Sequence, residues 1–231
     1  MTEHEDAREP VVVLGGTGRV GAAVVDELTR RGRQAVVVSR GRPPSRGPLV
    51  EHRTGDVHDL APALAGTRPR AVVLAVTPFT APPADLDGFD GDFYVRVVDQ
   101  LASLLPVGAR VVHVGVTAIA RLDDGGAVAD HEDLFPASLR PFSDAHARGA
   151  EALREAPLDG TVLIPAAGLG MQDAPSDAHP VLLPEPLTIA DATAPVDHAV
   201  LARAVVDQLD VAGSDQRWLV RAPGLPLQVS D

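Results

Sequence analysis

Val11-Val12-Val13-Leu14-Gly15-Gly16-Thr17-Gly18-Arg19-Val20-Gly21 is the stretch that decides the fold. Its first four residues are a continuous apolar, largely β-branched run, the pattern of a strand covered on both faces. Glycines at 15, 18 and 21 follow at once, spaced G-x-x-G-x-x-G. Beyond them Val20, Ala23, Val24 and Leu28 recur at helical spacing, and Gly32 stands where a helix C-terminal cap is expected. Ala35-Val36-Val37-Val38 reads as a second buried strand. Strand, glycine turn, helix and strand thus fit into about 30 residues, the length of one βαβ unit.

The same alternation runs on. Gly55-Asp56-Val57 is expected to end a short third strand, Ala71 to Val76 forms a fourth, and Arg110 to Val116 a fifth. Tyr94, Val97, Val98, Leu101, Leu104 and Leu105 mark one face of a helix between them. Ala145 to Glu155 reads as a helix, Thr161 to Ile164 as a sixth strand, Val196 to Leu209 as another helix and Trp218-Leu219-Val220 as a late strand. This predicts an α/β fold, a Rossmann-type doubly wound, mostly parallel sheet with helices on both faces. Residues 1–9 read as a flexible tail and 10–231 as a single domain. Two stretches rich in Pro, Asp and Gly, about 121–142 and 168–190, follow strand ends. They are expected to lie over the carboxyl edge of the sheet, where ligands bind in such folds, and to contact substrate.

Composition removes whole classes of chemistry. The 231 residues are 45% hydrophobic and 23% charged, as expected of an ordered globule. No apolar run approaches the roughly 20 residues that cross a bilayer. The acidic start, Met1-Thr2-Glu3-His4-Glu5-Asp6, lacks a signal-peptide pattern, so a cytoplasmic location is expected. Cysteine is absent, which excludes disulfides, thiolate nucleophiles and Cys-ligated zinc. All 20 basic residues counted as Lys+Arg are arginine, and asparagine is absent too, a bias that resembles that of a GC-rich genome. Without lysine there is no Schiff base, no Walker-type phosphate grip and no Tyr-Lys relay. A net charge of −12 sets the chain against nucleic acid and anionic membranes as partners. The expected partner is a small molecule, with the chain a monomer or homodimer.

The glycines of the turn serve three physical needs, namely a tight bend, close approach of backbone to a diphosphate, and close packing of helix on strand. The helix start then offers free N–H groups and a positive dipole end to the phosphates. The motif follows a buried strand and opens an amphipathic helix, the context that makes it specific. Gly15, Thr17, Gly18, Arg19 and Val20 are therefore candidate cofactor contacts. NAD binders commonly carry an acidic residue at the end of the second strand for the ribose 2′-OH. Here Ser39-Arg40-Gly41-Arg42 stands instead, so Ser39, Arg40 and Arg42, with Arg19, are expected to hold a 2′-phosphate, making the cofactor NADP(H). Asp56 and Val57 are expected beside the adenine, and Ala75, Val76 and Thr77 beside the nicotinamide ribose.

These residues resemble the short-chain dehydrogenase/reductases, in their atypical, extended or NmrA-like branch. The matching pieces are the 15–21 turn, Val38-Ser39-Arg40, Gly55-Asp56-Val57-His58-Asp59, Arg110-Val111-Val112-His113-Val114 and Gly149-Ala150-Glu151-Ala152-Leu153-Arg154. Thr161-Val162-Leu163-Ile164-Pro165 and Ala194-Pro195-Val196-Asp197-His198 extend the likeness to about residue 222, and Pro165 joins the cofactor contacts by that resemblance. The family's common Tyr-x-x-x-Lys pair is missing. Counting back from Glu151 puts Ser143 and Ala147 at its positions, and a one-residue shift puts Phe142 and His146 there. Tyr94 shares an apolar helix face and reads as core.

Two side chains remain as catalytic candidates. Thr117, just after the fifth strand, is placed to polarise a carbonyl, against the alternative of a hydroxyl serving local backbone. His146 titrates nearest neutral pH and is a candidate acid, against the alternative of an exposed histidine at a helix end. His113, mid-strand, reads as a satisfied core imidazole. Asp130, His131, Glu132 and Asp133 read as a solvated acidic loop, and no metal site is assigned.

The resemblance implies an NADPH-dependent reductase of a ketone or quinone-like carbonyl. A planar aromatic substrate delocalises the developing oxyanion and needs little acid, so orientation carries much of the rate. By analogy the GC-rich bias extends this to an antibiotic-tailoring polyketide ketoreductase. The competing expectations are an NmrA-like NADP(H) sensor without turnover and a non-redox isomerase or cyclase on the same scaffold.

Overall fold

The computed structural model describes residues 9–41, 46–79, 86, 88–170, 177–213 and 216–223. Strand β1 (Val11–Leu14) is buried along its whole length, because parallel neighbours and helices cover it on all sides. Helix α1 (Arg19–Arg30) lays Val24, Val25 and Leu28 on the sheet. It stops at Gly32, φ +71°, where the Arg33 N–H bonds the Leu28 carbonyl and the Gly32 N–H that of Thr29. That reciprocal pair satisfies two carbonyls left over at the helix end. Strands β2 (Ala35–Ser39) and β3 (Val50–Thr54) follow on one side of β1.

After the short helix α2 (Ala61–Leu64), β4 (Ala71–Leu74) pairs with β1 on the other side. Helix α3 (Phe93–Leu104), β5 (Arg110–Val114), helix α4 (Arg140–Glu155) and β6 (Asp159–Pro165) continue outward. Next come β7 (Gly168–Leu169), β8 (Val181–Pro184), α5 (Ile189–Ala192), β9 (Pro195–Val196), α6 (His198–Gln208) and β10 (Gln216–Arg221). The main sheet runs β3-β2-β1-β4-β5-β6-β10-β8, and its pairings are all parallel except β10 with β8. The expected doubly wound α/β sheet is the observed one.

Right-handed crossovers put α1 on one face and α3 and α4 on the other, because the chain steps one way along the sheet from β1 to β2 and the opposite way from β4 through β5 to β6. Helix α6 joins α1. Near their C-terminal ends Arg31 pairs with Asp207 at 2.7 Å and Arg33 with Asp210 at 2.7 Å, so the two helices run parallel. The order reversal between β1 and β4 opens the carboxyl edge at the point where such sheets bind ligands.

Several boundaries differ from expectation: the fourth and fifth strands stop two residues early, at Leu74 and Val114, and the sixth strand starts at Asp159. The third strand ends at Thr54, before Gly55. Helix α4 starts at Arg140, five residues before Ala145, because Pro141 sits in its first turn, where a missing N–H costs no hydrogen bond. The stretch 168–190 holds the antiparallel edge strand β8, paired Leu219 to Leu183 and Trp218 to Pro184. Proline at its end is tolerated because one side of an edge strand has no ladder to serve. No helix among the described residues is long and apolar enough to cross a membrane.

Candidate functional site

A cleft of about 820 Å³ opens along the carboxyl edge, within the size range of a cofactor pocket. Gly15, Thr17, Gly18, Arg19, Val20, Ser39, Arg40, Asp56, Val57, Ala75, Val76 and Thr77 all line it. These residues come from four separate segments, so their convergence is a product of the sheet order. Pro165 does not line the cleft, and Arg42 lies outside the described residues.

The turn is shaped by what its glycines lack. Gly15 has φ +83°, and a Cβ there would sit 2.4 Å from the Ala75 carbonyl oxygen. A Cβ on Gly21 would sit 2.2 Å from the Gly15 carbonyl oxygen, so helix and turn touch backbone to backbone. Helix α1 has no side-chain cap and no acidic residue in its first turn. Its leading amides and dipole therefore face the cleft without a competing carboxylate. Arg19 and Arg40 are exposed at the cleft and form no ion pair or hydrogen bond with any described residue. Ser39 spends its hydroxyl proton on the Gly41 carbonyl at 2.7 Å. An open helix start, a turn with no room for side chains and two free guanidinium groups fit a phosphate-bearing dinucleotide. When bound, such a cofactor supplies or accepts hydride at its nicotinamide.

The catalytic candidates are elsewhere. The Thr117 hydroxyl donates to the Pro165 carbonyl at 2.6 Å, which ties β5 to β6 at their carboxyl ends. That is the backbone-serving alternative, and Thr117 is not part of the cleft wall. His146 is no helix-end residue. It lies within α4, is 3% exposed and stacks on Tyr94 with ring centroids 3.9 Å apart. Burial, helped by the neighbouring His113, holds its proton affinity well below the ordinary histidine range. Buried and neutral, it is poorly suited to donate a proton at neutral pH. Tyr94 packs in the core as expected, its hydroxyl reaching the Val76 carbonyl at 3.2 Å, and burial raises its pKa.

His113 corrects an expectation. It is buried, but neither ring nitrogen has a hydrogen-bond partner, and the Nδ1 of His146 is equally unpartnered. Burial pushes the His113 imidazole down to about 4. In the acidic loop, Asp130 accepts from the Ala127 N–H and pairs with Arg140, while His131 faces Asp124 at 3.0 Å.

Nine further residues of the cleft wall were not candidates from sequence, among them Asp90, Phe79, Phe93, Phe142 and His198. Phe79 and Phe142 meet with centroids 5.0 Å apart, and Phe89 completes the group at 6.4 and 6.1 Å. Of the two positions at which the resemblance put a catalytic tyrosine, Ser143 is buried and Phe142 lines the cleft, so an apolar ring is what meets it there. Phe79 follows Pro78 in a loop and carries no periodic signal. His198 opens α6, and nothing in its local sequence points across the sheet edge.

The family model for the NAD dependent epimerase/dehydratase family matches residues 11–170. Among solved structures, a candidate NADH-flavin reductase from Streptococcus pneumoniae superposes with a TM-score of 0.75 at 21% identity, covering 93% of this chain and 100% of that one. A candidate epimerase from Bacteroides thetaiotaomicron gives 0.75 at 18% identity, covering 94% and 99%. An anaerobillin reductase from Escherichia coli gives 0.63 at 17% identity, covering 94% and 98%. No curated protein sequence matches. At these identities the structures share the fold, and the family rests on the sequence model, whose span includes the glycine turn, the β2 tip and the α4 helix. The chain belongs to the NAD dependent epimerase/dehydratase family.

Proposed function

We propose that the chain is an NADPH-dependent reductase acting on a ketone or quinone-like carbonyl of a planar aromatic molecule. The observation that carries this is the division of one cleft into two chemistries. At one end are open amides and the free guanidinium groups of Arg19 and Arg40; at the other are the faces of Phe79 and Phe142. Arg40, at the β2 tip, pairs with the 2′-phosphate, and the glycine turn holds the diphosphate. The phenylalanine rings stack against the substrate and hold its carbonyl over the nicotinamide, while the cleft wall excludes bulk water from that face. A quinone-like acceptor leaves an oxyanion delocalised over the ring system and a ketone leaves an alkoxide on the reduced carbon; in both the proton comes from solvent, so neither Thr117 nor His146 has to supply one. Neighbours named for flavin and anaerobillin reduction support a planar acceptor. A polyketide ketone of antibiotic tailoring is the natural-product form of the same substrate class.

The test is NADPH oxidation followed at its near-ultraviolet absorbance with a panel of flavins, tetrapyrroles, quinones and polycyclic ketones. Turnover with at least one panel member is expected. For that acceptor, Phe142→Ala is expected to raise KM by about tenfold, the loss of one aromatic face. Tight NADPH binding with no turnover across the panel overturns the reductase reading and leaves a nucleotide sensor.

A further inference from the structure

We propose that His198 is a second phosphate ligand of the cleft, an imidazole that donates to the diphosphate of a bound dinucleotide from α6 while the glycine turn holds it from α1. This rests on the cofactor reading above and adds a residue to it.

Three observations converge. First, α1 and α6 lie side by side and parallel, so Arg19 and His198, the first residues of the two helices, come to the same edge of the sheet, and both line the cleft. Second, the imidazole is held in place by backbone. It lies on Gly170, φ +75°, where a Cβ would stand 2.4 Å from its Cε1 and 3.1 Å from its Nδ1. Gly170 is in turn fixed to β9, its N–H bonding the Val196 carbonyl at 2.8 Å. The end of the small ribbon of β7 and β9 therefore seats the histidine. Third, neither ring nitrogen is hydrogen-bonded to a described residue. Asp197 caps α6 by accepting from the Ala199 N–H at 2.7 Å, so the helix backbone is served by its own carboxylate and the side chain of His198 is what meets the cleft.

The chemistry selects an anion. Arg19 and the uncapped start of α1, on the helix that runs parallel to α6, line the same cleft and favour negative charge. The aromatic substrate face belongs to Phe79 and Phe142, the latter on α4 in the opposite helix layer. A donor on the first residue of the helix parallel to α1 is suited to phosphate oxygens rather than to a substrate carbonyl.

The experiment is calorimetric titration of the full chain, wild type, His198→Ala and His198→Gln, with three probes. NADP+ carries diphosphate and 2′-phosphate, ADP-ribose carries the diphosphate without the 2′-phosphate, and adenosine 2′-monophosphate carries the 2′-phosphate with no phosphate at the 5′ position. His198→Ala is expected to weaken NADP+ and ADP-ribose by about tenfold each, the size of one charge-assisted hydrogen bond, and to leave the monophosphate within about twofold. His198→Gln, which keeps an N–H donor and guards against a misfolded alanine variant, is expected to lose less. Equal loss on all three probes, or unchanged NADP+ affinity in both variants while wild type binds, overturns this assignment alone. A fall in kcat with unchanged NADP+ affinity also overturns it, making His198 an acid. Failure of wild type to bind NADP+ overturns the cofactor reading and this assignment together.

Discussion

At the Gly15–Gly21 turn the polar groups are open to the cleft, whereas around α4 the groups with titratable chemistry are sealed in. Arg19 and Arg40 are exposed with no partner among the described residues, and no side chain caps the start of α1. His113, His146 and Tyr94 form a stack in the interior, with His113 and His146 centroids 5.7 Å apart and three ring nitrogens unsatisfied. The first region leaves its polar groups without protein partners. The second has given its cleft-facing position to Phe142 and buried its histidines behind it. A titratable side chain near the expected catalytic position is thus no guide to catalysis; its solvent access decides what it can do.

The contrast breaks most sharply if the turn tolerates bulk. Gly21→Ala places a Cβ against backbone on two sides, Gly15 oxygen at 2.2 Å and Gly16 Cα at 2.8 Å. A loss of about 3 kcal/mol in urea denaturation is expected, together with loss of NADP+ binding. An alanine variant of wild-type stability that still binds would show that close packing is dispensable there.

The buried stack predicts an acid-labile core. His113 binds its proton at about 4 in the folded chain and near 6.5 when unfolded. Between those values the unfolded state holds the extra proton, so stability is complete above 6.5 and falls as pH drops toward 4. The contribution is on the order of 3 kcal/mol. Thermal melts of wild type and His113→Phe across this window should diverge, the variant keeping the shallower slope. Parallel slopes would mean that the imidazole is solvated.

Arg40→Ala sharpens the open side. NADP+ affinity is expected to fall ten- to about a hundredfold, with NAD+ affinity unchanged, because a charge-assisted pair to the 2′-phosphate is removed. Equal losses for both coenzymes would locate Arg40 away from that phosphate. The smallest effect is expected at Thr117, whose hydroxyl serves Pro165. Thr117→Val should cost about 1 kcal/mol of stability and leave kcat for NADPH oxidation unaltered. A tenfold or greater fall in kcat, on the order of 1.4 kcal/mol, would return it to the reaction.

Much of the fold was legible because its signals are local. Val11 to Leu14 and Ala35 to Val38 are apolar at every position, which a strand covered on both faces requires and a half-exposed strand does not. Strand β8 was less legible, since Val181 to Leu183 is a short apolar triplet between prolines and takes its meaning from Leu219 and Val220 across the ladder. His146 was misplaced for a related reason. Its exposure depends on where α4 begins and on the packing of α3 against that face, and Gly149, whose Cβ would lie 2.3 Å from the Cβ of Tyr94, allows that close approach.

The amino-acid order alone determined the βαβ unit, the glycine turn and the arginine-bearing β2 tip. Each is written in a few adjacent residues whose sterics and charge act within a turn or two. It also excluded a Tyr-Lys mechanism, since a residue type that is absent cannot be supplied by folding. Tertiary structure decided the rest. The meeting of Phe79 with Phe142, the arrival of His198 and Arg19 in one cleft and the burial of His113 with His146 all depend on sheet order and helix packing, and long-range packing sets which side chains water can reach.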